Sequence, residues 1–391
     1  MTVVKQSKGT IGILTGGGDV PGLNPAIKAI VRGAQALGWE VVGLRRGWAG
    51  LLNINPADAQ SAKDWMLPLD ANRVRAIDRT GGTILHTSRT NPAKIAKKDA
   101  PAFLSDRFKD VSGPVDCTDH VLKVLAHLGI DALIPIGGDD TLSFAARLHQ
   151  EGFKIVSIPK TMDNDVFGTD YCLGFSTAIS RSVECINGMR TSCGSHERIG
   201  VIEVFGRYSG ETALISGYLA DADRVLIAEV PFDVKKLGDF LKADRGLSSS
   251  RYSMLVVSEG AIIQGGSMAL SGEADAFGHQ KLGGIGGQVG EAIKKHTGVD
   301  VLIQSLGYIM RSGEPDPLDK MVALNFGTMA VQHLARGQTG RMMAIQEGCY
   351  TTVESDTCIK GKRHVDVDAF YDKDNYRVRI KDVLKKPMFL Y

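Results

Sequence analysis

Two short segments of the chain combine carboxylates with glycines and a lysine in a pattern suited to phosphate chemistry. The first is "GGDDT", which contains Asp139 and Asp140, and the second is "PKTMDND", which contains Lys160, Asp163 and Asp165. Each segment follows a short apolar run that predicts a buried strand. Magnesium binds proteins through few carboxylates together with phosphate oxygens. We therefore expect a Mg²⁺ ion that holds a polyphosphate, with Asp139 as its protein ligand.

The first segment also has a purely structural interpretation. Aspartate is a favoured N-cap residue, and a helix is predicted to begin near Thr141. Either Asp139 or Asp140 would then cap that helix. Both interpretations hold if one residue binds the metal and the other caps.

The second segment supplies a candidate base. A sugar hydroxyl that attacks a phosphoryl group needs a base, and an aspartate can take its proton. We expect one of Asp163 and Asp165 to face the substrate while the other supports the loop. An Asx-turn without a catalytic role is the alternative for this stretch.

A glycine-rich loop, "TGGGDVPGLN", follows the first predicted strand. Glycines let backbone N–H groups approach an anion, and the N-terminus of the following helix favours negative charge. The loop matches neither G-x-G-x-x-G nor a Walker loop, so taken alone it can equally be a structural turn. Arg198, Arg207 and Arg311 lie near predicted strand ends or glycine turns. They are candidates for holding a phosphate group, because guanidinium matches phosphate geometry, although single arginines are more often solvated surface residues.

The elements that must position these residues alternate between strands and helices. "TIGILT" predicts a strand, and "NPAIKAIVRGAQALG" predicts a helix with Asn24 as N-cap, Pro25 at its first position and Gly38 at its end. The same alternation recurs along most of the chain and predicts an α/β fold with a parallel sheet covered by helices on both faces. We find no linker that divides the chain, so two domains would need crossovers between the halves.

Composition restricts the class of protein. A chain of 391 residues exceeds the usual size of one core and favours two domains. Its 46 basic and 44 acidic side chains leave a formal charge of +2, which argues against nucleic-acid or membrane binding through bulk charge. The six cysteines form no C-x-x-C pair, and the N-terminus lacks the apolar run of a signal peptide. We expect reduced thiols and a cytoplasmic location.

Several motifs together resemble the phosphofructokinase family. They are, in family order, "TGGGDVPGLNPAI", "GGTILHTSRT", "IGGDDTL", "PKTMDNDVFGTDYCLGF", "SHERIGVIEVFGRYSG", "SEG" and "LGYIMRSG". The resemblance implies two Rossmann-like α/β domains with mostly parallel sheets and an active site in the cleft between them. It also implies Mg²⁺-assisted transfer of a phosphoryl group to the 1-hydroxyl of fructose 6-phosphate, a step of glycolysis. We place a larger, donor-binding domain at residues 1–173 plus about 312–362, and a smaller, sugar-binding domain at residues 174–311 plus about 363–391.

The resemblance implies a role for each matching residue. It gives Asp163 as the base and Asp139 as the metal-linked aspartate. The positions that match catalytic residues are Asp163, Lys160, Thr161 and Arg207. The positions that match donor contacts are Gly17, Arg89, Asp140 and Lys160. The positions that match substrate contacts are Thr161, Asp163, Arg198, Gly206, Glu259, Tyr308 and Arg311. In the family, the arginine at the Arg198 position comes from a neighbouring subunit, which implies a homodimer or homotetramer.

Two residues bear on the phosphoryl donor. Members of the family that use ATP resemble "GGDGS" and "PGTIDND", whereas this chain has Asp140 and Lys160 in place of two of those glycines. Both substitutions match the branch that uses inorganic pyrophosphate. A carboxylate at Asp140 opposes the ATP α-phosphate by bulk and by like charge. Lys160 adds a point charge suited to a compact pyrophosphate.

One position departs from the family pattern and leaves alternatives open. Leu302 stands where many members carry an arginine that reaches the sugar phosphate across the interface. Sedoheptulose 7-phosphate is therefore a second candidate substrate. Arg32 and Arg190 are weak candidates for an effector site. An ATP-dependent kinase is less favoured because it would have to tolerate Asp140, and a silent regulatory subunit is less favoured because the base and the metal carboxylate are both present. The matches "PKTMDND" and "GRYSGE" argue against a different "GGDG" kinase that acts on NAD or a lipid.

Overall fold

The computed structural model describes residues 8–58, 60–266, 270–271, 281–282, 284–380 and 384. Its strands are, in chain order, β1 (Thr10–Thr15), β2 (Glu40–Leu44), β3 (Met66–Pro68), β4 (Ala132–Gly137), β5 (Val156–Pro159), β6 (Ile199–Val204), β7 (Arg224–Leu226), β8 (Ser253–Ser258), β9 (Leu270–Ser271), β10 (Lys281–Leu282), β11 (Val301–Ser305), β12 (Arg341–Gln346), β13 (Cys349–Glu354), β14 (Tyr371–Asp372) and β15 (Arg377–Val378). Its α-helices are α1 (Leu23–Ala36), α2 (Trp48–Asn53), α3 (Thr118–His127), α4 (Asp139–Gln150), α5 (Phe175–Ser195), α6 (Glu211–Leu219), α7 (Val234–Leu247), α8 (Ile285–Thr297), α9 (Pro317–Ala335) and α10 (Val367–Phe370). The predicted α/β alternation is confirmed.

The first sheet has seven strands in the order β13-β12-β5-β4-β1-β2-β3. Its five inner strands are parallel, and the outer strands β3 and β13 run antiparallel to their neighbours. On central strand β1, Ile13 lies opposite Gly43 of β2 and Ile134 of β4. Strand β4 is buried along its whole length, as expected for a parallel strand with both faces covered.

The second sheet has four parallel strands in the order β11-β6-β8-β7. Strands β6 and β8 are buried throughout, whereas edge strand β11 is partly exposed. Buried side chains of both sheets form one connected apolar cluster, which includes Ile13 and Ile134 of the first sheet and Val201 and Leu255 of the second. The two sheets therefore pack around a common core. Within the described ranges, no helix has both the length and the apolar character needed to cross a membrane.

Helix α1 begins differently from the sequence prediction. Its N-cap is Gly22, whose φ of 110° is accessible to glycine, so the prediction of Asn24 as N-cap is wrong. The Asn24 side-chain amide donates to the carbonyl of Gly81 at 3.2 Å, and its oxygen accepts from the Ile84 N–H at 2.9 Å. This side chain holds a neighbouring loop instead of its own helix end.

The chain passes from the first sheet to the second and then returns to the first. Strands β1 to β5 build the first sheet, and β6, β7, β8 and β11 build the second. Strands β9 and β10 pair only with each other, and β12 and β13 return to the first sheet. The last described segment then packs on the second sheet, where the Tyr371 hydroxyl donates to the Val225 carbonyl at 2.6 Å. These returns are the crossovers expected from the sequence. The boundaries at residues 173, 311 and 362 stay a prediction, and residues 381–383 and 385–391 of the smaller predicted domain lie outside the described residues.

Candidate active site

A cavity of about 210 Å³ lies between the two sheets, at the carboxyl ends of β1, β4, β5, β6 and β8. Ligands of parallel α/β sheets bind at this end of the strands. The cavity is lined by Gly17, Gly18, Asp19, Val20, Arg89, Gly138, Asp139, Asp140, Thr141, Lys160, Thr161, Met162, Asp163, Asp165, Phe205, Arg207, Tyr208, Glu259, Arg311 and Lys362. The glycine-rich loop and the segments "GGDDT" and "PKTMDND" therefore meet in one cavity.

The loop after β1 brings backbone and cations close together. Gly17 has a φ of 78°, a left-handed conformation that favours glycine. The Thr87 hydroxyl donates to the Gly17 carbonyl at 2.6 Å and fixes the loop. A Cβ on Gly18 would clash with Nη1 of Arg311, so the glycine makes room for that guanidinium. Arg311 also pairs with Asp19 at 3.5 Å.

Lys160 is a buried cation directly after β5. Its ammonium donates to the Gly18 carbonyl at 2.5 Å. Burial, and to a smaller extent the nearby charges of Arg311 and Arg89, lower the pKa of Lys160 to about 8. A cation kept near other cations without bulk water is suited to a multiply charged anion, because such an anion would relieve their mutual repulsion.

Asp163 and Asp165 both line the cavity, and which of them faces the substrate stays a prediction. The residue between them, Asn164, takes a left-handed φ of 55°, which turns the chain at this point. Burial, and to a smaller extent the negative charge of Asp165, raise the pKa of Asp163 to about 7. The backbone N–H of Arg207 donates to Oδ2 of Asp163 at 3.4 Å and connects this loop to the second sheet. Such a carboxyl can hold or release a proton near neutral pH.

Helix α4 begins at Asp139. Its N-cap residue is Gly138, so no side chain caps the helix through a hydrogen bond. The helix starts two residues earlier than predicted, so neither Asp139 nor Asp140 is its N-cap. Burial, and to a smaller extent the negative charge of Asp165, raise the pKa of Asp139 to about 7. Oδ2 of Asp139 lies 3.3 Å from Nζ of Lys362, whereas Oδ1 is buried and has no hydrogen-bond partner among the described residues. A buried carboxylate oxygen without a donor is suited to a cation.

The opposite wall of the cavity comes from the second sheet. Glu259 follows β8, and burial together with the charge of Asp163 raises its pKa to about 8. Gly206 follows β6 with a φ of 137°, and a Cβ there would lie 2.7 Å from the Ser209 carbonyl. Tyr308 is 62% exposed and stacks under the Arg311 guanidinium, whose carbon lies 4.4 Å from the ring centre.

A model of the family described as phosphofructokinase matches residues 10–334, which is most of the chain. The chain belongs to the phosphofructokinase family. The matched region contains every residue that the sequence analysis assigned to the site, from Gly17 to Arg311. It ends before Lys362, which the structure adds to the cavity wall.

Relatives within the phosphofructokinase family carry two different names. A protein from Amycolatopsis methanolica named pyrophosphate–fructose 6-phosphate 1-phosphotransferase is 40% identical over 338 residues, covering 86% of this chain and 90% of that protein. A protein from Chloroflexus aggregans named ATP-dependent 6-phosphofructokinase is 37% identical over 348 residues, covering 89% and 90%. The crystal structure of the pyrophosphate-dependent phosphofructokinase from Marinobacter aquaeolei has a TM-score of 0.76 at 16% identity and covers 98% of this chain and 92% of its own. That likeness shows the fold.

Most residues assigned from the phosphofructokinase motifs lie in or beside the cavity. Those that line it are Gly17, Arg89, Asp139, Asp140, Lys160, Thr161, Asp163, Arg207, Glu259 and Arg311. Arg198 lies at the start of β6, in a separate surface depression. Leu302 lies on edge strand β11. Their predicted relation to a neighbouring subunit stays a prediction.

Sequence reasoning assigned no role to several residues that line the cavity. Asp19, Phe205 and Tyr208 lie inside the quoted motifs, so their place in the site could have been inferred from their neighbours. Lys362 could not, because it lies 223 residues from Asp139 and follows no glycine turn at a strand end. Only the basic run "KGKRH" marks its position.

Proposed function

We propose that this chain reversibly transfers a phosphoryl group from inorganic pyrophosphate to the 1-hydroxyl of fructose 6-phosphate, giving fructose 1,6-bisphosphate and phosphate. The observation that carries the proposal is the buried Lys160 ammonium beside the glycine loop, in the cavity that Asp140 also lines. The name of the Amycolatopsis methanolica relative supports the same reaction. This reaction is a step of glycolysis that can also run in the direction of gluconeogenesis.

The donor follows from size and charge. Lys160 lies 2.5 Å from the Gly18 carbonyl, so its charge is concentrated at the bottom of the glycine loop, where a compact anion fits. Asp140 lies in the first turn of α4 and lines the same wall. A nucleotide α-phosphate at Asp140 would meet a like charge, which can cost several kcal/mol and therefore exclude ATP. Pyrophosphate has no group that must occupy that position.

The base on this proposal is Asp163. Its carboxylate takes the proton from the 1-hydroxyl while the hydroxyl oxygen attacks the nearer phosphorus atom of pyrophosphate. The bond from that phosphorus to the bridging oxygen breaks, and phosphate leaves with the electron pair. A pKa of about 7 suits a residue that must accept a proton in one direction and return it in the other. Thr161 and Arg207 lie beside Asp163 and would position and stabilise the transferring phosphoryl group.

Asp139 is the residue that would hold Mg²⁺. Its buried, unbonded Oδ1 fits a hard cation, and magnesium commonly uses one or two carboxylates with phosphate oxygens and waters as its other ligands. When bound, the ion would neutralise negative charge on the phosphate oxygens. Lys160, Arg89 and Arg311 add positive charge on the other side of the cavity.

We also propose that the enzyme is a cytoplasmic homodimer or homotetramer with shared active sites. Arg198 lines a separate depression and lies too far from the cavity to be one of its lining residues within one chain. A neighbouring subunit would bring its own Arg198 to the sugar phosphate. Gly206, Glu259 and Tyr308 would contact the sugar from the second sheet. On this division the first sheet binds the donor and the second binds the sugar.

A direct comparison of donors tests the proposal. The purified protein is supplied with fructose 6-phosphate, Mg²⁺ and either pyrophosphate or ATP, and fructose 1,6-bisphosphate is measured. The proposal expects product with pyrophosphate and little with ATP. The name of the Chloroflexus aggregans relative makes ATP the second candidate, and preference for ATP would overturn the proposed donor. Sedoheptulose 7-phosphate, supplied in parallel, measures how strictly the acceptor is chosen.

A further inference from the structure

Lys362 is a cation in the cavity wall that lies beyond the region matched by the family model. Its Nζ lies 3.3 Å from Oδ2 of Asp139 and 4.2 Å from the centre of the Tyr208 ring. Its side chain is 36% exposed, so the ammonium borders both protein and the open cavity. It therefore lies next to the carboxylate that would hold the metal.

The backbone around Lys362 is held on the site at several points. Lys362 forms an isolated antiparallel bridge with Val166, directly after the loop that carries the base. The next residue, Arg363, donates its N–H to the Asp165 carbonyl at 3.1 Å. The residue after it, His364, contacts the cavity wall formed by the second sheet, where its Nδ1 lies 2.8 Å from the Tyr208 carbonyl. The segment thus connects both walls and fixes the position from which Lys362 extends.

A buried ion pair anchors the same segment. The Arg363 guanidinium lies 2.8 Å from Oε2 of Glu211 and donates to the Asn164 carbonyl at 3.0 Å. Glu211 is 3% exposed, so both charges are withdrawn from water. Because this ion pair lies one residue away, the backbone position of Lys362 is fixed, while its long side chain can still rotate. A compact charge on a flexible stem can reach a phosphate group beside it.

We propose that Lys362 is a second pyrophosphate-binding lysine, which contacts the phosphate oxygens beside Asp139 in the cavity that Lys160 also lines. The inference rests on the proposed function, because the ligand class is the same inorganic polyphosphate. The 3.3 Å contact with Asp139 is long for a charge-assisted hydrogen bond, and a Mg²⁺ ion on Asp139 would repel the ammonium. The ammonium then turns to the nearest anion, which is the donor. The C-terminal part of the chain thereby supplies a donor contact from outside the matched family region.

The test compares Lys362→Met with Lys362→Arg and with a neighbouring control. Methionine keeps most of the aliphatic stem and removes the charge, and arginine restores the charge. Lys360→Met is the matched control, because Lys360 is an exposed lysine two residues away that pairs with Asp356. Pyrophosphate binding is measured by calorimetry on the full chain, with and without Mg²⁺, and the KM values for both substrates are measured separately.

We expect Lys362→Met to raise both the Kd and the KM for pyrophosphate about tenfold, equivalent to ~1.4 kcal/mol. The KM for fructose 6-phosphate and the melting temperature stay near the wild-type values. Lys362→Arg recovers most of the binding, and Lys360→Met changes none of these quantities. Unchanged pyrophosphate binding in Lys362→Met, or an equal rise of both KM values with a lower melting temperature, would assign Lys362 a structural role and overturn the inference. A wild-type protein that does not bind pyrophosphate would instead overturn the proposed function and the inference with it.

Discussion

The Lys160 ammonium donates a hydrogen bond of 2.5 Å to the carbonyl of Gly18, so one buried cation connects the end of β5 with the loop after β1. An ammonium has three donors, and the contact with Gly18 uses one of them. The others can face an anion in the cavity. The glycine-rich loop and the segment "PKTMDND" are more than a hundred residues apart in the sequence. This hydrogen bond brings them together at a single phosphate-binding position.

Replacing Asp163 by asparagine tests the base. The amide cannot take a proton from the sugar hydroxyl, so we expect kcat to fall by about 10³-fold with little change in either KM. Circular dichroism and the melting temperature control for loss of the fold. Turnover near the wild-type rate in Asp163→Asn would show that another group accepts the proton.

The raised pKa of Asp163 predicts a pH dependence. Because the base must be ionised, kcat/KM should rise with pH through a pKa of about 7, and it should fall again through the Lys160 pKa of about 8, above which the ammonium that binds the donor loses its charge. Asp165→Asn removes the neighbouring negative charge that raises this pKa, so the same profile should move to lower pH. Steady-state rates between about pH 5.5 and 8.5 measure both curves. A profile that does not move in Asp165→Asn would contradict the proposed coupling of the two carboxylates.

Asp140→Gly tests the choice of donor. Removing the carboxylate removes both bulk and like charge from the wall, so the ratio of kcat/KM for ATP to that for pyrophosphate should rise about 10- to 100-fold. Asp140→Asn keeps the bulk and removes the charge, and it therefore separates the two causes. If neither variant changes the ratio, donor choice depends on residues other than Asp140.

The buried pair of Arg363 and Glu211 predicts a large effect on stability. Burial raises the pKa of Glu211 to about 7, so the carboxyl is ionised only above that pH. Above it, Arg363→Met leaves the Glu211 charge without its partner, and we expect the free energy of unfolding to fall by about 3 kcal/mol. In a Glu211→Gln background the same replacement should cost clearly less, because no buried charge is left. Chemical denaturation of the two single variants and the double variant measures this coupling.

An exposed pair in the same chain provides the control for that measurement. Arg147 lies 2.8 Å from Glu151, and both side chains are largely exposed. Arg147→Met should therefore change the free energy of unfolding by less than about 1 kcal/mol. Equal losses for Arg147→Met and Arg363→Met would show that burial does not strengthen the Arg363 pair.

The sequence allowed prediction of the fold class and of most cavity residues, because each motif directly follows a strand and parallel strands end at the same edge. Two details depended on backbone geometry that residue types do not determine. The left-handed turn at Asn164 places Asp163 and Asp165 on one cavity, and Gly22 rather than Asn24 caps α1. Lys362 depended on a long-range return of the chain, which no local pattern encodes.

The reverse reaction is the most direct test of pyrophosphate as the donor. The protein is supplied with fructose 1,6-bisphosphate, inorganic phosphate and Mg²⁺ in the complete absence of nucleotide, and the formation of pyrophosphate and fructose 6-phosphate is followed. A pyrophosphate-dependent enzyme must form both products in equal amounts. Formation of neither product with phosphate, together with formation of ATP when ADP is supplied instead, would contradict the account.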